Sequence, residues 1–264
     1  MDLANVCRKV QELAIQVGDF IREEKNKISS EMIEVKGLNN FVTYVDKTSE
    51  QRLTEGLVNI IPESGFIVEE NTINKQGMKY NWIIDPLDGT TNFIHGLSPF
   101  AISIALMVEN EIVLGVVYEV SLNECFYAWA NGKAYLNKKE IRVSNAKSVN
   151  DSLIGTGFPY YEFKRLSPFL SSLEFFMKNS HGVRRLGSAA TDLAYVACGR
   201  FDAFYEYNLN SWDVAAGALI VKQAGGKVSD FIGGDNYIFG KEIIATNHLI
   251  FNEFLGNVKI FMVK

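Results

Sequence analysis

The run Asp85-Pro86-Leu87-Asp88-Gly89-Thr90-Thr91-Asn92-Phe93 gathers two carboxylates, two hydroxyls and a flexible glycine in one short stretch of chain. It follows Trp82-Ile83-Ile84, which reads as the end of a buried strand. Proline has no N–H for the next ladder bond, so the strand is expected to leave the sheet at Asp85-Pro86, at a sheet edge. Such a spot is an oxygen-rich seat for a hard divalent cation. Magnesium takes carboxylate, carbonyl and water oxygens at about 2.0–2.1 Å. The competing reading is a plain turn, because Asp-Pro and Asp-Gly are ordinary turn residues and a following Thr or Asn often only caps a helix.

Acids elsewhere bear on that choice. Phe66-Ile67-Val68 is a short apolar strand that ends in Glu69-Glu70, and Ser211-Trp212-Asp213 opens a helix rich in small residues, Val214 to Val221. Asp213 is read as the N-cap of that helix, with Gly225-Gly226 as its stop. Glu69, Asp85, Asp88 and Asp213 thus fall at the ends of expected elements, where chemistry tends to gather. Brought together, these carboxylates would repel one another unless cations lay between them. In a two-metal site, with ions about 3.5–4 Å apart, one ion helps form a hydroxide and the other steadies the leaving oxygen.

The elements that must position these groups are legible in outline. Val6, Val10, Leu13, Val17, Phe20 and Ile21 recur at helical spacing, and a second helix is expected from Lys47 to Ile60 with Asp46 as N-cap. Strands are expected at 66–68, 81–84, 101–108, 112–118 and 124–129, the later ones joined by hairpin turns and so antiparallel. The second half alternates strands at 152–156, 203–207, 226–228 and 242–245 with helices at 165–178, 188–198 and 213–223. This pattern is layered α/β, with any lobe boundary near 145–151.

Composition narrows the function. The chain has 264 residues, 47% hydrophobic and 22% charged, with a net charge of -5. That balance offers no broad nucleic-acid footprint, yet bound metal can reverse the local sign and admit an anionic substrate. Cys7, Cys125 and Cys198 are far apart and read as small hydrophobes in a reducing compartment. The opening Met-Asp-Leu-Ala-Asn lacks a basic and apolar leader, and the uncharged stretch 89–108 is too polar for a membrane span. A cytoplasmic protein is expected.

The segments WIIDPLDGTTNF (82–93) and WDVAAGALIVKQAGG (212–226) resemble the two signatures of the inositol monophosphatase family. KGLNNFVTYVD (36–46), FIVEE (66–70) and GSAATDLAYVACGRFDAFYE (187–206) resemble its remaining blocks in the same order, so the likeness spans nearly the whole chain. The resemblance implies an αβαβα five-layer sandwich, of the type also seen in fructose-1,6-bisphosphatase. It implies one domain over 1–264, with sub-lobes 1–148 and 149–264 sharing a site. It further implies a homodimer, magnesium dependence, lithium sensitivity and hydrolysis of small phosphate monoesters.

Position by position, the resemblance makes Glu69, Asp85, the carbonyl of Leu87, Asp88 and Asp213 the metal ligands, with Asp85 bridging two magnesium ions. Thr90 and Asp46 would orient the attacking water, with Glu69 also counted in the catalytic set. The N–H groups of Gly89 and Thr90, together with Asp88, would face the substrate phosphate, and Ala189 and Glu206 the hydroxyls of a sugar alcohol. Lys36 matches a basic position of a loop near the site, against the plain alternative of a solvated surface lysine. Asn40 departs from the family, which usually carries an aspartate there; a third, weaker magnesium and the closing of that loop are left open.

The best single substrate on this reading is myo-inositol monophosphate. Fructose 1,6-bisphosphate, histidinol phosphate, a nucleotide 3′-phosphate and a lipid-linked inositol phosphate are the rivals, Thr91-Asn92 speaking against the nucleotide type. The rival of another class is a binding protein of the transcription machinery, as some bacterial relatives are. His95, His181 and His248 lack ligand spacing; Arg184-Arg185 could form a phosphate clamp or simply a charged strand edge, and is read as structural because the region lies near a dimer interface in relatives. Phe158-Pro159-Tyr160-Tyr161 is read as rim or surface packing.

Overall fold

The computed structural model describes residues 1–25, 27–28, 30–37, 40–159 and 162–263. In chain order its helices are α1 (Leu3–Glu24), α2 (Tyr44–Ile60), α3 (Thr90–Ile94), α4 (Leu166–Lys178), α5 (Ala189–Ala197), α6 (Ser211–Gln223) and α7 (Phe251–Met262). The strands are β1 (Ile33–Gly37), β2 (Asn40–Thr43), β3 (Gly65–Val68), β4 (Tyr80–Asp88), β5 (Ala101–Val108), β6 (Glu111–Glu119) and β7 (Glu124–Trp129). They continue with β8 (Tyr135–Leu136), β9 (Lys139–Glu140), β10 (Leu153–Thr156), β11 (Gly182–Arg184), β12 (Ala203–Tyr207), β13 (Lys227–Ser229) and β14 (Glu242–Thr246).

Amphipathic periodicity explains how these elements stack. Val6, Val10, Ala14, Val17 and Ile21 form the buried face of α1, and with Leu53 and Leu57 of α2 they cover one side of a seven-stranded sheet, β3-β4-β5-β6-β7-β8-β9. Along β5 the side chains alternate: Ile102, Ile104 and Leu106 face that helix layer, while Ala101 and Ala105 face the other way, toward α5 and α6. Small residues on this second face let α6 come close. A Cβ on Gly115 of β6 would lie 2.6 Å from the carbonyl oxygen of Ala216, and the Ser103 hydroxyl of β5 donates to Trp212 O at 2.9 Å.

On the far side of α5 and α6 lies a five-stranded sheet, β11-β10-β12-β14-β13, and beyond it α4 and α7. Phe204 of β12 points into the middle layer, whereas Ala203, Tyr205 and Tyr207 point out beneath Phe169, Phe176 and Phe254. Helix, sheet, helix, sheet, helix is the αβαβα sandwich that the signature segments imply. β3 runs parallel to β4 and β10 parallel to both β11 and β12; the remaining neighbours are antiparallel. No helix among the described residues is long and apolar enough to cross a membrane.

Three expectations need correction. Pro86 does not take the chain out of the sheet: Asp85 pairs with Ser103 and Asp88 with Ala101, so β4 carries one extra residue at Pro86-Leu87 and then resumes. This is a bulge, which absorbs the missing proline donor and re-aims the side chains around it. The carboxylates accordingly lie at the end of an inner strand, not at the sheet edge. Finally, Asp46 and Asp213 are not N-caps. Thr43 and Asn210 take the extended cap conformation, and the two aspartates sit at the third helical position, each closing a capping box.

Candidate active site

The bulge of β4, the loop after β3 and the first turns of α2, α3, α5 and α6 converge on one open cavity. It encloses about 920 Å³ of empty space, its solvent mouth included. Glu69, Asp85, Leu87, Asp88, Gly89, Thr90, Ala189, Glu206 and Asp213 all line it. Asp46 lies directly behind Thr90: the Thr90 hydroxyl is 3.0 Å from Asp46 Oδ1 and 2.9 Å from Leu87 O. One hydroxyl proton serves only one of these acceptors at a time, so Thr90 can pass its donor between them. The side chains of Lys36 and Asn40 lie outside the described residues, as do Tyr160 and Tyr161.

Each carboxylate is fixed by the backbone that precedes or faces it. Asp46 is 1% exposed; its Oδ2 accepts from Thr43 N at 2.8 Å and Thr43 Oγ1 at 2.7 Å, which leaves Oδ1 for Thr90. Asp213 Oδ2 accepts from Asn210 N at 2.7 Å. In both, the capping box holds one oxygen; the other oxygen of Asp46 meets Thr90, while Asp213 lines the cavity. Asp85 Oδ1 accepts from Leu87 N at 2.9 Å across the bulge, and Asp88 Oδ2 accepts from Ser188 Oγ and Ala190 N, both at 2.7 Å. Gly89, at φ 90, makes the left-handed turn from β4 into α3; a Cβ there would lie 3.0 Å from Pro99 O.

Electrostatically the cluster is under-neutralised. Burial first, then the charges of Glu69, Asp88 and Asp213, hold the Asp85 carboxyl well above the ordinary carboxylate range. Burial lifts Asp213 to about 8, reinforced by Asp88, and Asp88 to about 6 against the pull of Ser188 and Ala190. Among the described residues no three His, Cys, Asp or Glu side chains already stand in a metal-holding group. The donor set nonetheless fits a hard cation: its side-chain and carbonyl donors are all oxygen, and the like charges of Glu69, Asp88 and Asp213 around Asp85 mark where positive charge is wanted.

The far wall of the cavity belongs to the second half of the chain. Glu206 of β12 is 7% exposed and is lifted to about 8 by burial, opposed by Arg185. Its carboxyl lies flat against Gly157, where a Cβ would come within 1.9 Å of it. Asn92 ties the two walls together by donating to Pro99 O and Leu186 O, both at 2.8 Å.

Sequence reasoning set one residue aside here and passed over two more. Arg185 lines the cavity rather than serving only a strand edge, and Asp192 of α5 lines it too, at 1% exposure. Glu50 stands one helical turn after Asp46 on α2. It is fully buried and accepts from Glu70 N at 2.7 Å, Thr72 N at 2.8 Å and Thr72 Oγ1 at 2.7 Å, which pins the loop that carries Glu69. The i, i+4 spacing of Asp46 and Glu50 was the available signal. Phe158 and Pro159 form part of the rim.

Comparison with known proteins agrees with this geometry. Residues 2–258 match the model of the inositol monophosphatase family. An inositol-1-monophosphatase of Mesorhizobium japonicum is 38% identical over 247 residues, covering 93% of each chain. A putative Nus factor SuhB of Neisseria meningitidis serogroup B is 40% identical over 243 residues, covering 92% of this chain and 93% of that one. The crystal structure of the extragenic suppressor protein suhB of Bartonella henselae superposes with a TM-score of 0.90 at 36% identity, over 98% of this chain and 99% of that one. With a matching five-layer architecture and a family match over almost its full length, the chain belongs to the inositol monophosphatase family.

Proposed function

We propose that the protein is a magnesium-dependent phosphoric monoester hydrolase whose preferred substrate is a phosphorylated cyclic polyol, myo-inositol monophosphate first. The observation that carries this reading is the Thr90–Asp46 pair set beside Glu69, Asp85, Asp88 and Asp213 in one cavity. Glu69, Asp85, the Leu87 carbonyl, Asp88 and Asp213 would hold two magnesium ions. Bound magnesium would neutralise the phosphate and lower the pKa of water.

The chain's own groups account for the rest. Thr90 Oγ1 holds the attacking water, and Asp46 Oδ1, kept above the ordinary range chiefly by burial, receives its proton through that hydroxyl. The N–H groups of Gly89 and Thr90 face the phosphate oxygens. Water adds to phosphorus in line, the P–O bond to the alcohol breaks, and the departing alkoxide takes a proton from solvent water toward Ala189 and Glu206 while Asp46 returns its own to solvent. Glu206 accepts from its hydroxyls, which favours a polyol over a plain alkyl ester.

Phosphate release from inositol 1-phosphate, fructose 1,6-bisphosphate, histidinol phosphate and a nucleotide 3′,5′-bisphosphate tests the substrate class. A clear preference for inositol phosphate supports the reading, and preference for another ester replaces the substrate while keeping the site. We further propose a single-domain, cytoplasmic homodimer inhibited by lithium. Light scattering at the monomer mass, or turnover indifferent to lithium, would contradict those points.

A second reading rests on the name of the Neisseria relative, a putative Nus factor. A binding role in transcription would persist in a catalytically dead Asp88→Asn protein. Pull-down of transcription proteins by that variant as well as by the wild type would support it.

A further inference from the structure

Asp192 is a buried acid that the proposed reaction leaves unused. It sits in the first turn of α5, where Ser188 is already the cap: Ser188 Oγ lies 2.8 Å from Thr191 Oγ1 and accepts from Thr191 N at 3.3 Å. Asp192 therefore has no capping duty. Its side chain is 1% exposed, lines the active cavity, and its Oδ1 has no hydrogen-bond partner among the described residues. A buried carboxyl oxygen without a donor destabilises a fold, so its retention in a cavity wall points to a donor that arrives with a ligand.

The surroundings indicate which donor. Glu206 and Arg185 line the same cavity, and Asp192 feels the charge of both. The leaving-alcohol end thus presents two carboxyl groups and one guanidinium. A plain alkyl or aryl alcohol gives these acceptors nothing. An ammonium-bearing alcohol would satisfy the acids but meet Arg185 with like charge. An alcohol with several hydroxyls both donates to the carboxyls and accepts from the guanidinium.

We propose that Asp192 is a specificity-determining residue that, together with Glu206, selects leaving alcohols carrying at least two further hydroxyls. This rests on the phosphatase reading of the cavity. It adds a recognition contact beyond the positions matched to the family pattern.

The test compares full-length protein at saturating magnesium on cyclohexyl phosphate, trans-2-hydroxycyclohexyl phosphate and inositol 1-phosphate. Wild type, Asp192→Asn and Asp192→Ala are measured, with thermal unfolding to establish that each variant is folded. One lost charge-assisted hydrogen bond corresponds to about a tenfold or greater change. The preference for inositol 1-phosphate over cyclohexyl phosphate is expected to fall by about that factor in both variants, chiefly through KM, with the magnesium half-saturation unmoved.

Equal loss on all three esters, or an unchanged preference, would overturn the inference while leaving the phosphatase reading intact. A wild type that shows no preference for hydroxylated esters would overturn it too. Absence of hydrolysis of any ester would overturn both.

Discussion

Replacing Glu206 with glutamine tests the electrostatics of the cavity without touching the metal-facing carboxylates. Burial holds the Glu206 carboxyl at about 8, against 4.5 in the unfolded chain. A folded-state pKa raised above the unfolded one means that the native protein binds more protons between those values, so stability falls as pH rises from 4.5 to 8. That rise from 4.5 to about 8 amounts to ~5 kcal/mol once the pH is above 8. Glu206→Gln removes the ionisation and keeps the shape.

The metal-free variant is therefore expected to be more stable than wild type at pH 9 by up to ~5 kcal/mol. That advantage should shrink steadily toward pH 5 and vanish near pH 4. Urea unfolding in EDTA at pH 5, 7 and 9 reads this directly. A stability difference that does not change between pH 5 and pH 9 would refute the argument. The same variant should lose activity on polyol phosphates, so stability and function are set against each other at this residue.

Thr90→Ala removes the hydroxyl between the attacking water and Asp46; kcat should fall by about 10²–10⁴-fold, while the magnesium concentration for half-activation stays within about twofold. A variant with near-normal kcat would remove Thr90 from the mechanism. Glu50→Gln presents an amide to three donors that now meet a carboxylate, which should cost about 1–3 kcal/mol of stability and raise the magnesium requirement more than it lowers kcat. An unaltered magnesium titration would show that Glu50 does not position Glu69. Gly115→Ala forces a methyl to within 2.6 Å of Ala216 O, and about 1–3 kcal/mol should be lost from a single unfolding transition. Two resolved transitions would contradict a single domain.

What the sequence showed and what it hid follow from the range of the interactions involved. The elements that carry long apolar periodicities, such as α1 with Val6, Val10 and Val17 or β5 with Ile102, Ile104 and Leu106, were readable because their signal is local. The bulge at Pro86-Leu87 was not, because it exists only in the pairing of β4 with β5. Asp46 and Asp213 were displaced by three positions as caps. Thr, Asn and Asp all cap well, and only the extended backbone at Thr43 and Asn210 decides between them.

α7 was overlooked although Phe254, Val258 and Met262 recur every fourth residue. β1 was overlooked although Ile33, Glu34, Val35 and Lys36 alternate, whereas β8, β9 and β11 are too short to show alternation. The clustering of Glu69, Asp85, Asp88 and Asp213 was suggested by their acidic type at element ends. Asp192 carried no such mark: an acid in the first turn of α5 reads as ordinary compensation of the helix dipole, and only the folded wall shows what it faces.

The central claim is that this carboxylate cavity hydrolyses phosphate monoesters with magnesium. Phosphate release from inositol 1-phosphate, titrated with magnesium for the wild type and for Asp85→Asn, tests it most directly. The account predicts turnover that is absent in EDTA, rises and saturates with magnesium, and is abolished in the variant. Turnover that persists without magnesium or in Asp85→Asn would contradict it, as would a wild type that releases no phosphate at any magnesium concentration.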